Sequence, residues 1–222
     1  DPADFGGTDL VAAVRAGVQP DGSFGAFPGP YASGLGLIAL AGTGSEIPAA
    51  MTDWLVDRAD PAGGWGYEPG QPADPDSTGM AILGLKALPE PTGDATAAID
   101  AAVAWAASAR QTDGSWPGFA PVNSTSVLGS ALQEAGAEQP EAIAYLAGVQ
   151  QPDGGLPTGA EGATDGDPLA TAQAALLLAG TSYLSPVPEA TASAWNPTDI
   201  ALWGLIAALG LGVGIAAVVR RR

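Results

Sequence analysis

Four glycine turns recur along the chain and restrict its fold more than any other feature: QPDGSFG at 19–25, PAGGWGY at 61–67, QTDGSW at 111–116 and QPDGGLP at 151–157. Their first glycines, Gly22, Gly63, Gly114 and Gly154, lie 41, 51 and 40 residues apart. Spacing of this size marks an array of supersecondary units, each burying its apolar face against the next. Two kinds of apolar stretch alternate with the turns. Ile47, Met51, Trp54 and Leu55 fall on one helical face, and Ile99, Val103 and Ala106 repeat that spacing, as amphipathic helices do. The stretches Tyr31–Ala41, Thr78–Leu88, Ser124–Ala135 and Leu169–Ala179 are apolar or small nearly all round, as helices buried on both sides are. Inner buried helices backed by outer amphipathic ones predict an all-α fold: an α/α toroid, a partial barrel of about eight helices, over residues 1–183.

The C-terminal end reads differently. Leu184 to Asn196 is rich in Pro, Ala and Ser, and the linker runs over 184–198. At about 3.1 Å per residue, it would reach roughly 40 Å if extended. Ile200 to Val219 is an apolar run of 20 residues, followed by Arg220, Arg221 and Arg222. Its length matches the thickness of a bilayer core, so 199–222 is expected to be one C-terminal transmembrane helix. The arginine tail places the C-terminus in the cytoplasm and the repeat domain outside the cell membrane. Gly204, Ala208 and Gly212 form a small-residue face that would suit a membrane-protein partner. A chain that starts at Asp1 rather than Met is expected to have lost a signal peptide.

Charge and chemistry narrow the function classes. Besides the terminal arginines there are only Arg15, Arg58, Lys86 and Arg110, against 24 acidic residues. Such a surface repels phosphate backbones, so no nucleic acid partner is expected. The chain has no Cys and no His, which removes disulfides, the usual zinc ligands and the commonest general base at neutral pH. On these grounds no catalytic cofactor, no metal and no enzymatic activity are expected.

The turns resemble the Q-x-x-D-G-S-F/W motif of the prenyltransferase and squalene-cyclase repeat superfamily. A narrower resemblance follows from DSTGMAILGLKAL at 76–88, NSTSVLGSALQEAG at 123–136 and DPLATAQAALLLAGTSYL at 167–184, which are similar to runs in the transcobalamin and intrinsic factor family. That resemblance implies a barrel whose mouth binds a corrinoid, a cobalamin-type ligand. Polar residues at the starts of the inner helices would contact it: Tyr31, Ser33, Asp76, Thr78, Asn123, Thr125, Asp167, Thr171 and Gln173. Ser, Thr, Asp and Asn at such positions also serve as N-caps, but each cluster offers more side chains than a cap requires. The family's β domain has no counterpart in this chain. A transcobalamin C-terminal-like β protein, a vitamin transporter of the energy-coupling-factor type, or both, would therefore complete the site. A non-catalytic scaffold subunit of a membrane complex is the alternative. A terpene cyclase or prenyltransferase ranks below both. The cyclase family protonates its substrate with an Asp-x-Asp-Asp motif, and Asp74, Pro75, Asp76 and Ser77 supply the first two acids and lack the last.

Overall fold

The computed structural model describes residues 2–185, which belong to one compact unit ending at Ser185. They form eight α-helices: α1 (Leu10–Ala16), α2 (Pro30–Gly42), α3 (Ala49–Val56), α4 (Pro75–Lys86), α5 (Gly93–Ala109), α6 (Pro121–Glu134), α7 (Pro140–Val149) and α8 (Pro168–Leu178). Among the described residues there is no strand, only two isolated bridges, Phe5 with Thr8 and Val18 with Phe24. No described helix is long and apolar enough to cross a membrane. The transmembrane helix expected over 199–222 lies outside the described residues, as does all but the start of the 184–198 linker.

The even-numbered helices form the inner row. α2 packs on α4, α4 on α6 and α6 on α8, and the odd-numbered helices back them from outside. All four inner helices begin with proline at the first helical position, where the missing N–H is no loss and φ is already helical. Asp74 and Asp167 cap α4 and α8 by accepting from Ser77 N and Ala170 N at 2.8 Å. α2 and α6 start at Gly29 and Ala120 with no side-chain cap.

Small residues let the inner helices approach closely. A Cβ on Gly34 would stand 2.2 Å from the Met80 carbonyl oxygen, and one on Gly84 would stand 2.7 Å from Gly34 Cα. From Ser77 to Leu85, α4 is buried without interruption, as expected of a helix with neighbours on every side. α8 is the last of the row among the described residues, and its Leu169 and Leu178 are exposed.

The glycine turns join the layers. Gly63 and Gly114 sit at φ of 99° and 92°, where a side chain is strained. A Cβ there would also strike the Ala101 or Glu141 carbonyl of the next outer helix at 2.4 and 2.3 Å. Past three of the four turns one backbone N–H is handed to an inner-helix threonine. Trp65 N donates to Thr78 Oγ1 at 2.9 Å, Trp116 N to Thr125 Oγ1 at 3.0 Å, and Leu156 N to Thr171 Oγ1 at 2.9 Å. The two indoles tie back to outer helices, Trp65 Nε1 to Leu55 O and Trp116 Nε1 to Ala106 O. Thr125→Val keeps the shape and strands a buried N–H, so we expect a loss of about 1–3 kcal/mol, measured by urea denaturation.

Candidate functional site

The three threonine staples fix the register of the inner helices, and the register identifies the site. Tyr31, Asp76 and Asn123 each lie two residues before the staple position, occupied by Ser33, Thr78 and Thr125. Three successive inner helices therefore present a polar side chain from the same place, and in α8 that place holds Leu169. Asn123 Nδ2 donates to Gln173 Oε1 at 2.8 Å, bringing in α8. Ser124 Oγ donates to Asp76 Oδ2 at 2.7 Å, linking α6 to α4. Tyr183, on the segment after α8, lies near enough to Gln173 and Asp76 for both to act on its hydroxyl. Its segment is pinned to α6, with Ser130 Oγ donating to Thr181 O and Ser182 Oγ to a Glu134 carboxylate oxygen.

Among the described residues the cluster has no cation. Arg58 stacks over Trp54, Arg110 pairs with Glu141, Arg15 ends α1, and Lys86 sits in the last turn of α4, at the end away from Asp76. Burial therefore dominates the acid–base properties. Desolvation raises the Asp76 pKa, the Ser124 hydrogen bond opposes this, and Asp74 adds to it. Desolvation likewise pushes both tyrosine hydroxyls up. Tyr31 and Tyr183 both sense Asp76, and Tyr183 acts on Tyr31. Several buried polar atoms nearby lack a hydrogen-bond partner: Ser33 Oγ, Asp74 Oδ2, Ser77 Oγ and Asn123 Oδ1. Two open depressions lie elsewhere. One is at the first turn, around Asp21 and Ser23, and the other lies between α1 and the end of α2, around Arg15 and Thr43. Among the described residues no group of three or more Cys, His, Asp or Glu could hold a metal ion.

The nine rim residues expected to bind a ligand divide sharply. Tyr31, Asp76, Asn123 and Gln173 meet in the cluster. Thr78, Thr125 and Thr171 spend their hydroxyls on the turns, and Asp167 spends its carboxylate capping α8. Ser33 stands at the staple position of α2, fully buried and without a partner. Trp65 and Trp116 are fully buried in the repeat packing, and Tyr67 is exposed. Ser124 and Tyr183 were not among the expected residues. Ser124 adjoins Asn123 in the quoted NSTS run, and Tyr183 adjoins the ATAQA helix in the quoted TSYL run.

No protein-family model matches the chain. A curated protein, drimenyl diphosphate synthase of Streptantibioticus cattleyicolor, is 30% identical over 175 residues, covering 65% of this chain. The chain spans 31% of that synthase's length. This distant similarity and the all-helical architecture agree on a prenyltransferase- and terpene-cyclase-like all-α fold. They overturn the expectation of a non-catalytic, corrinoid-binding transport protein. The similarity is to a terpene synthase, the class ranked last from the sequence, and the proposed kinship with transcobalamin has no support.

Proposed function

We propose that this chain is a terpene-cyclase-like unit in which Asp76 is a general acid that protonates a carbon–carbon double bond of an isoprenoid chain. The observation that carries this reading is the position of Asp76. It is a mostly buried carboxyl with its pKa raised by desolvation, bonded to Ser124 of α6 next to the Asn123–Gln173 pair that brings in α8, with Tyr31 of α2 in electrostatic range. A general acid works best with a pKa raised toward the operating pH, so that its proton is present and still transferable. Asp76 is also the second acid of Asp74-Pro75-Asp76, which resembles the proton-donating motif of the cyclases. The absence of His removes an argument for catalysis by imidazole and leaves carboxyl catalysis untouched.

The step balances simply. The Asp76 proton adds to one alkene carbon, Asp76 becomes a carboxylate, and a cation forms on the other carbon. A neighbouring double bond attacks that cation to close a ring, and proton loss to water or a base ends the sequence. The mostly buried Tyr31 and Tyr183 present aromatic surface beside Asp76, suited to an apolar chain and to a cation formed next to it. With no Lys or Arg of the described residues at the cluster, the part of the substrate proposed to meet Asp76 is the neutral alkene. A diphosphate head would have to lie away from it.

The full chain incubated with a linear fifteen-carbon isoprenoid diphosphate is expected to yield a cyclic product by gas chromatography and mass spectrometry, and Asp76→Asn should yield none. Wild type that forms no more cyclic product than Asp76→Asn, with this substrate and with the twenty-carbon homologue, would overturn the reading in favour of a non-catalytic helical scaffold.

A further inference from the structure

Asp76 is held by a single side chain, and the room for that side chain is made by a glycine. Ser124 is fully buried, and its hydroxyl donates to Asp76 Oδ2 at 2.7 Å. Among the described residues no other side chain hydrogen-bonds this carboxyl. A Cβ on Gly118 would lie 2.1 Å from Ser124 Oγ, 2.7 Å from Ser124 Cβ and 3.3 Å from Asp76 Oδ2. The backbone does not require glycine at this place, because Gly118 is outside the set of glycines with positive φ. The sequence makes the same point. QPDGSFGAF at 19–27 aligns with QTDGSWPGF at 111–119, and the counterpart of Gly118 in the first turn is Ala26. A methyl group is accepted in the repeat where no Ser–Asp pair stands opposite.

The groups that face Asp76 are few. Asp74 caps the same helix, Tyr31 comes from α2, Tyr183 comes from the segment after α8, and α6 contributes Asn123 and Ser124 without charge. Among the described residues the Ser124 hydroxyl is the one side-chain donor hydrogen-bonded to the carboxyl.

We propose that Ser124 is a positioning residue for Asp76 and that Gly118 preserves the space it occupies, so that Oδ2 is engaged as an acceptor and the transferable proton resides on Oδ1. This rests on Asp76 acting as the acid, but its test does not require turnover. The Asp76 carboxyl can be followed in the full-length chain by infrared titration, with Asp76→Asn identifying its band. Ser124→Ala removes the donor that favours the charged form. The Asp76 band should then titrate at higher pH, and the protonated C=O stretch should move to higher frequency. Gly118→Ala should produce both shifts with Ser124 still present, and Ser124→Thr should restore the wild-type values. Where cyclisation is measurable, kcat should fall with KM little changed in the first two variants. An Asp76 band that titrates and absorbs alike in wild type, Ser124→Ala and Gly118→Ala would overturn the proposal, even if Asp76→Asn had abolished cyclisation. Shifts in the band without any cyclisation in wild type would leave the positioning intact and remove the catalytic reading. If Ser124→Ala does not fold, Gly118→Ala decides, because the backbone at Gly118 does not require glycine and the atoms its methyl group would meet first are those of the Ser124 side chain.

Discussion

Asp76→Asn is expected to lower cyclisation by at least about 10²-fold, the usual contribution of a positioned general acid, while making the protein more stable at neutral pH. The two effects have one cause. Burial raises the Asp76 pKa above the ordinary value of 3.8, so the fold holds this proton to higher pH than the unfolded chain does. Stabilisation from that proton is complete below the unfolded value and is lost as pH rises through the folded value. At neutral pH the wild-type fold must either keep a proton against the pH or hold a mostly buried charge, with the Ser124 hydroxyl and the Asp76 backbone N–H opposing the desolvation cost only in part. Asparagine has nearly the same shape, still accepts from Ser124, and carries no proton to lose. Its thermal midpoint should therefore exceed that of wild type at neutral pH, and the gap should shrink toward about pH 4. A variant that is inactive and also less stable at neutral pH would indicate that Asp76 acts as an ordinary structural carboxylate.

The layered fold was legible because its signals are local. A glycine turn, an all-apolar stretch and an amphipathic stretch can each be read within a dozen residues, and their repetition excludes most other architectures. The cluster was legible only in part, because a single residue decides whether a rim side chain caps, staples or points into the concave face. Asp74 and Asp76 illustrate the limit. Both lie at the start of the same helix, yet Asp74 caps it and Asp76 reaches the cluster. Thr78, Thr125 and Thr171 differ from their neighbours by one position and are consumed by the turns. Tyr183 follows the last described helix and acts electrostatically on Tyr31, near the start of the second, a proximity that local periodicity does not encode.

The transcobalamin resemblance rested on short runs that packing explains without a ligand. In DSTGMA the threonine is a turn staple and Gly79 is the point where α6 comes close, a Cβ there standing 2.9 Å from Val127 Cγ1. In NSTS the threonine is again a staple, and the following serine, Ser126, bonds back to the Val122 carbonyl. In ATAQA the threonine serves Leu156. Small residues and hydroxyls at these places are what any closely packed inner helix of a toroid needs, so the runs report the fold and carry little information about a ligand.

Trp65→Ala is expected to cost about 3–5 kcal/mol, the range for truncating a fully buried large aromatic. At roughly 2–4 °C per kcal/mol for a unit of this size, the thermal midpoint should fall by about 6–20 °C. The indole fills the space between the second turn and the core, and its Nε1 donates to Leu55 O at 2.8 Å, fastening α3 to the turn that leads into α4. Its own backbone N–H is bonded to Thr78, so the indole and the staple act at one point. The Leu55 carbonyl also accepts from Arg58 N, so truncation does not strand it, and the cost should come mainly from lost contacts and the cavity left behind. Trp65→Phe should therefore recover most of the loss, leaving about 1 kcal/mol for the missing hydrogen bond and volume. Phe119→Ala is the matched control: an aromatic residue of the next turn that is 97% exposed and should change stability by less than about 0.5 kcal/mol. The three variants can be ranked by urea denaturation. If Trp65→Ala cost no more than Phe119→Ala, the turn would not be the element that couples the outer helices to the inner row.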